Sequence, residues 1–159
     1  MNNKPMLNAY PDSLGGRLED IVNLLKTEDL QEVFSSFYIL PSLYHSDLDR
    51  GFSVIDYDLN EQLARREDLE QLKNMGIDLK LDFILNHASA QSPQFQDLVK
   101  KGEDSDYRDF FIDWNTFWEG HGTMTKEGYI QPDEDCLKQM FFRKPGLQIL
   151  MVEFPDGKK

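Results

Sequence analysis

Ile77-Asp78-Leu79-Lys80-Leu81-Asp82-Phe83-Ile84-Leu85-Asn86-His87 is the stretch whose reading decides the fold. Apart from Asp78, Lys80 and Asp82, residues 77–85 are apolar, and so continuous a run marks a parallel strand buried on both faces. Gly76 stands just before it, in the C′ place that stops a helix over residues 67–75. Further upstream, the aromatic-rich run 34–40 reads as a strand ended by Pro41. Leu18, Ile21, Val22, Leu24 and Leu25 recur at helical spacing, and residues 6–10 read as a first strand closed by Pro11-Asp12-Ser13. A polar stretch, 42–65, separates the second strand from the second helix. Strand, helix, strand, helix, strand is the order of βαβ units, so the fold class is α/β with a parallel sheet.

The second part has another texture. Ser92-Pro93 pairs an N-cap with proline at N1 and opens a short helix carrying Phe95, Leu98 and Val99 on one face. After Gly102, the residues Tyr107, Phe110, Phe111, Trp114, Phe117 and Trp118 form an aromatic cluster that calls for burial as core. Residues 120–135 read as loop, and 140–143 and 147–154 as strands. Pro155-Asp156-Gly157 is a hairpin-type turn that asks for one more strand. A last strand without its partner leaves an open edge, so the end of the chain does not read as a natural domain boundary.

The 159 residues carry 29 acidic and 17 basic side chains, a net charge of −12. Such a chain repels phosphate backbones and anionic lipid, and no basic run exceeds two residues, so neither nucleic acid nor membrane is an expected partner. Cys136 has no second cysteine to pair with, the N-terminus shows no signal-peptide core, and apolar runs fall short of the ~20 residues of a span. A soluble cytoplasmic protein is expected. The length suits one ordinary domain and falls short of the ~250 residues of a complete (β/α)8 barrel.

In parallel α/β folds, ligands are held at the carboxyl ends of strands, which here selects the loops after Tyr10, Leu40 and Leu85. The second loop carries Asp49-Arg50-Gly51-Phe52 and then Asp56-Tyr57; the third carries Asn86-His87, following Asp82. Polar groups converging beside aromatic faces suit a sugar. Taken singly, each residue has a plainer reading. His87 alone reads as a hydrogen-bonded structural histidine, and Asp82 needs a partner if buried. Asp82, Asn86 and His87 make a poor metal-ligand set, so no metal or cofactor is expected. His45 and His121 fall in polar loops and read as exposed. Gly15-Gly16 lacks the rest of a phosphate-loop fingerprint, and Arg66-Glu67-Asp68 reads as a helix cap.

Asp82-Phe83-Ile84-Leu85-Asn86-His87 fits the D-x-x-x-N-H motif, and Gly51-Phe52-Ser53-Val54-Ile55-Asp56-Tyr57 the G-[FY]-x-x-x-D-Y loop, of the alpha-amylase family (glycoside hydrolase family 13). Several further stretches resemble the sucrose phosphorylase subfamily: Tyr10-Pro11-Asp12-Ser13-Leu14-Gly15, Ile39-Leu40-Pro41, Asp49-Arg50-Gly51-Phe52, Gln91-Ser92-Pro93 with Phe95-Gln96-Asp97, and Arg143-Lys144-Pro145. The resemblance runs in order over essentially the whole chain. It implies a partial (β/α)8 TIM barrel, with the first three βα units in residues 1–102 and the start of an inserted small domain in 103–159. It also implies retaining α-glucosyl transfer from sucrose or a related α-glucoside to phosphate, through an aspartate nucleophile and a glutamate acid. On this resemblance Asp49 and His87 hydrogen-bond the glucose hydroxyls and Phe52 forms an apolar wall. Asp82 and Asn86 organise them, with Asp82 facing an arginine near the nucleophile, and Arg143 and Lys144 lie on the acceptor side, toward phosphate. The nucleophile and the acid belong to the family's fourth and fifth strands, so the chain carries no catalytic carboxylate. Its implied partners are the α-glucoside, phosphate and the remainder of the barrel.

The departures are specific. Tyr38 stands where the family often has histidine, Ser42-Leu43 where it has Phe-Phe, and residues 58–63 where it has Val-Asp-Pro-x-x-Gly. They leave the acceptor open among fructose, its phosphate, glycerol and glycerate. Two other readings stand beside this one: a free-standing sugar-binding or interaction protein without catalysis, and a complementing half of a split enzyme.

Overall fold

Alternating burial along two short strands sets the architecture. The computed structural model describes residues 4–48, 50–138, 151–155 and 159. In β2 (Ser36–Ile39), Phe37 and Ile39 are fully buried while Ser36 and Tyr38 are half-buried, so one face of the strand looks into a core and the other does not. Parallel partners flank it: β1 (Met6–Ala9) on one side and β5 (Asp78–Lys80) on the other. The register runs Asn8↔Tyr38↔Lys80 across the three strands.

Parallel neighbours need a crossover, and the helices supply it. Helix α1 (Leu18–Leu25) buries Leu18, Ile21, Val22 and Leu25; α2 (Arg66–Asn74) buries Leu72. These side chains and those of Ala9, Phe37 and Ile39 form one apolar cluster, in which each large residue contributes about 1.5–3 kcal/mol. Both helices start in the same way. Asp20, at the third helical position, accepts the backbone N–H of Arg17 at 3.1 Å, and Asp68 accepts that of Arg65 at 2.8 Å. Asp68 is buried, so Arg66-Glu67-Asp68 is the helix cap that its position suggested. Gly76, with φ +73°, ends α2.

Two expectations about this half change. The polar stretch 42–65 contains an antiparallel hairpin, β3 (Tyr44–Ser46) and β4 (Val54–Leu59), paired Tyr44↔Leu59 and Ser46↔Val54 with an irregularity between. Asp56, Tyr57 and Asp58 dilute its apolar pattern, which is why hydropathy does not mark it as strand. The third strand is parallel as expected, but its ladder stops at Lys80 and it is not buried on both faces. Leu79, Leu81, Phe83 and Leu85 are 37%, 39%, 64% and 78% exposed, because no further strand flanks β5 among the described residues. The sheet is three strands wide and no barrel is closed.

The chain divides into two compact units, Met1–Ser92 and Pro93–Lys159. The second begins with α3 (Pro93–Lys101), which starts at the proline as read from sequence. Asp97 on this helix takes Lys101 Nζ and Ser105 Oγ, each at 2.7 Å, and these two groups hold its carboxyl below the usual value. One-turn helix α4 (Trp114–Phe117) precedes a hairpin of β6 (Gly122–Met124) and β7 (Ile130–Pro132), and α5 (Glu134–Leu137) follows. The loop reading of 120–135 missed that hairpin, since three-residue strands are too short to show period-2 alternation. Asn115 fastens it, donating to Gly128 O at 3.0 Å and accepting from Ile130 N at 2.9 Å, while Trp114 Nε1 donates to Ile130 O at 2.7 Å. Trp118 is buried, but Phe110 and Phe117 are more than half exposed, so the aromatic cluster is only partly core. Single-turn elements cannot turn every ring to one side. The strand expected at 140–143, most of that at 147–154, and Asp156-Gly157 of the turn lie outside the described residues; Met151–Phe154 has no strand pairing. No helix among the described residues is long and apolar enough to cross a membrane.

Replacing Asp68 by alanine removes the α2 cap and lowers stability by about 1–2 kcal/mol, read as a reduced midpoint in urea unfolding followed by far-UV circular dichroism.

Candidate functional site

The carboxyl ends of β1, β2 and β5 lie side by side, and the loops that leave them are tied together by side chains. The middle loop is the most constrained. Gly51 has φ +94° and is buried, and a Cβ there would fall 1.3 Å from Pro41 O, so glycine is required. Arg50 beside it also has a positive φ of 49°, an unfavourable conformation for a residue that bears a Cβ. Its guanidinium repays that strain from the neighbouring loop: it hydrogen-bonds Asp12 and lies 4.0 Å from the ring centroid of Tyr10.

The third loop meets the middle one from the other side. His87 Nε2 lies 2.6 Å from Phe52 O, and His87 Nδ1 lies 3.0 Å from Asn86 Oδ1. A neutral imidazole satisfies both contacts by donating Nε2–H to the carbonyl and accepting at Nδ1 from the Asn86 amide NH2, with that amide turned. Two residues on, Ser89 is buried; its N–H donates to Val54 O at 2.9 Å and its hydroxyl to Asp47 Oδ2 at 2.6 Å. Asp47 also accepts Leu48 N–H at 2.7 Å. Desolvation pushes the Asp47 carboxyl up, but the hydroxyls of Ser53 and Ser89 and the Leu48 amide outweigh it and hold the group below its usual 3.8.

Behind these loops stands an aromatic and acidic row. Tyr38 donates its hydroxyl to Asp82, with both carboxylate oxygens at 2.7 Å. That hydrogen bond, followed by burial, raises the phenol above its usual 10.0. Tyr57 donates to Ile84 O at 2.5 Å, and its ring packs against Tyr44 and Phe83 with centroids at 5.1 and 4.6 Å. His45 is not simply exposed: it lies on β3 with Nδ1 2.7 Å from Asp56 Oδ1 across the hairpin. His121 is exposed, as its loop position suggested.

Among the site residues read from sequence, Phe52, Asn86 and His87 come together, and Asp82 lies nearby on the Tyr38 hydroxyl. Asp49, Arg143 and Lys144 lie outside the described residues. Sequence reasoning did not single out Asp47, Ser89 or the pairing of Arg50 with Asp12 and Tyr10. Serines and aspartates are too common in loops for spacing to mark them.

Taken with known proteins, this arrangement has a clear affiliation. Residues 18–142 match the alpha amylase catalytic-domain family, and the chain belongs to that family. It is 57% identical to a sucrose 6(F)-phosphate phosphorylase of Ilumatobacter coccineus, over 98% of this chain and 30% of the relative. A sucrose phosphorylase of Streptococcus mutans is 34% identical over 98% of this chain and 30% of that protein. The crystal structure of sucrose 6F-phosphate phosphorylase from Thermoanaerobacter thermosaccharolyticum superposes with a TM-score of 0.74 at 33% identity, covering 91% of this chain and 27% of that one. The chain therefore spans about 30% of the length of the relatives it matches, and within the family it is sucrose phosphorylase-like.

Two outcomes follow from the loop geometry. Gly51→Ala drives a methyl group into Pro41 O, and the displaced loop shows as lost amide protection at residues 50–53 in hydrogen exchange, with stability falling by more than about 2 kcal/mol. Asp47, with its lowered carboxyl, contributes stability that is complete above the unfolded value and disappears as pH falls through the lower folded one. Wild type therefore loses its urea-unfolding advantage over Asp47→Asn progressively as pH falls below the ordinary 3.8.

Proposed function

We propose that this chain forms the donor-sugar side of a retaining α-glucosyl phosphorylase acting on sucrose 6F-phosphate or a closely related α-glucoside. The observation that carries the reading is the meeting of His87 with Phe52 at the strand ends, within a chain 57% identical to a protein named for that substrate. In this reading Asp49 and His87 hydrogen-bond the glucose hydroxyls, His87 exchanging its Nε2 contact with Phe52 O for one to the sugar, and the Phe52 ring packs on the sugar's C–H face. Asn86 orients the His87 imidazole, and Asp82 anchors the segment that carries both. In the same reading Arg143 and Lys144 serve the acceptor, where a fructosyl phosphate or free phosphate brings negative charge.

Such a reaction proceeds by two displacements. A carboxylate attacks the anomeric carbon while a carboxylic acid protonates the departing fructosyl oxygen; a phosphate oxygen then displaces the carboxylate to give glucose 1-phosphate. Both carboxyl groups come from strands beyond those present here. Residues 1–102 then belong to the barrel and 103–159 open the inserted domain. The exposed row Leu79, Leu81, Phe83 and Leu85 is the surface on which the rest of the barrel packs, which fits the length of the relatives. The binding residues alone cannot complete either displacement.

The purified 159-residue chain is accordingly expected to form no glucose 1-phosphate from sucrose or sucrose 6F-phosphate. Grafted in place of the matching 30% of the Ilumatobacter coccineus relative, it restores phosphorolysis. In that chimera His87→Ala or Asp49→Ala lowers kcat/KM by about tenfold or more, the worth of one good hydrogen bond to the sugar. Glucose 1-phosphate from the chain alone, or full activity in both alanine variants, overturns the reading.

A further inference from the structure

Tyr38 is the departure from the family pattern that the proposed reaction leaves without a task, and its surroundings supply one. Its neighbours Phe37 and Ile39 point into the core, so Tyr38 stands on the opposite face of β2, in register with Lys80 on β5. Lys80 Nζ lies 4.1 Å from the centre of the Tyr38 ring, and the hydroxyl lies on the Asp82 carboxylate. The phenol thus has a cation on its face and an anion at its hydroxyl. A cation on the ring withdraws electron density and makes the O–H a better donor to the carboxylate.

This contact matters because of what the backbone lacks. The ladder between β2 and β5 ends at Tyr38↔Lys80, so residues 81–85 run toward the site without strand hydrogen bonds. Side chains peg the segment instead. Tyr38 grips Asp82 at its start, Tyr57 holds the Ile84 carbonyl, and His87 reaches Phe52 O at its end. We propose that Tyr38 is a positioning residue: by donating its hydroxyl to Asp82 it sets the path of residues 82–87 and thereby the placement of Asn86 and His87 toward the sugar. The inference rests on the sugar-binding reading for its consequence but not for its geometry.

The test uses the full chain with Tyr38→Phe, which keeps the ring and the Lys80 contact, Tyr38→His, which returns an N–H donor, and Asp82→Asn. With three histidines in the chain, the His87 ring signals are resolved by NMR. Tyr38→Phe shifts those signals and weakens their response to added glucose by about tenfold, and Tyr38→His restores both. Independently, tyrosinate absorbance shows two phenols, those of Tyr38 and Tyr57, ionising above the ordinary range in wild type, and Asp82→Asn brings the Tyr38 component down. Unchanged His87 signals in Tyr38→Phe, or an unmoved tyrosine component in Asp82→Asn, overturn the proposal. A wild type whose His87 ignores glucose sinks the sugar-site reading alone, because the shift of the His87 signals in Tyr38→Phe still decides the role of Tyr38.

Discussion

The parallel register of β1, β2 and β5 is the constraint from which the first unit is built. Parallel strands cannot be joined by tight turns, so each step across the sheet requires a crossover, and α1 and α2 fill that role. Covering one face of the sheet, they create the core around Phe37, Leu18 and Leu72. The same direction sends all three strands out at one end. Loops that are far apart in sequence then emerge within hydrogen-bonding reach of each other.

Once gathered, the loops are held by side chains more than by backbone ladders. Gly51 is pressed against the Pro41 carbonyl in a conformation that only glycine takes without a clash, and Arg50 adopts a second unfavourable one. Arg50 is fastened to Asp12 and Tyr10 on one flank, and Phe52 to His87 on the other. Such strain gathers where position matters more than stability. In a chain of net charge −12, the cations Arg50 and Lys80 are each laid over a tyrosine ring close to an acid.

The second unit solves its own problem differently. Apart from α3, its elements are one turn or three residues long, too short to bury a continuous face. Asn115 therefore uses its side-chain amide to bridge Gly128 and Ile130 in the hairpin, and Trp118 alone among the clustered tryptophans and phenylalanines of 110–118 is buried.

Local patterns carry what is local. The helices over residues 18–25 and 66–74 were legible from apolar spacing, from the acids in their first turns and, for α2, from Gly76. The parallel α/β class followed from their alternation with apolar runs, and the motif at 82–87 pointed to the family that residues 18–142 match. The hairpin at 44–59 was not legible, because Asp56 and Asp58 interrupt the apolar residues of its second strand. Nor was the exposure of Leu81, Phe83 and Leu85, since an apolar run states what a strand would bury and not whether a neighbour is present. The site shows the same division. Sequence by itself singled out Phe52, Asp82, Asn86 and His87 as candidates through their motifs. Tertiary structure decided their partners, because Arg50 with Asp12, Phe52 with His87, Asp47 with Ser89 and Tyr38 with Asp82 are 38, 35, 42 and 44 residues apart. No local preference links such distant positions; they meet only after the strands have paired.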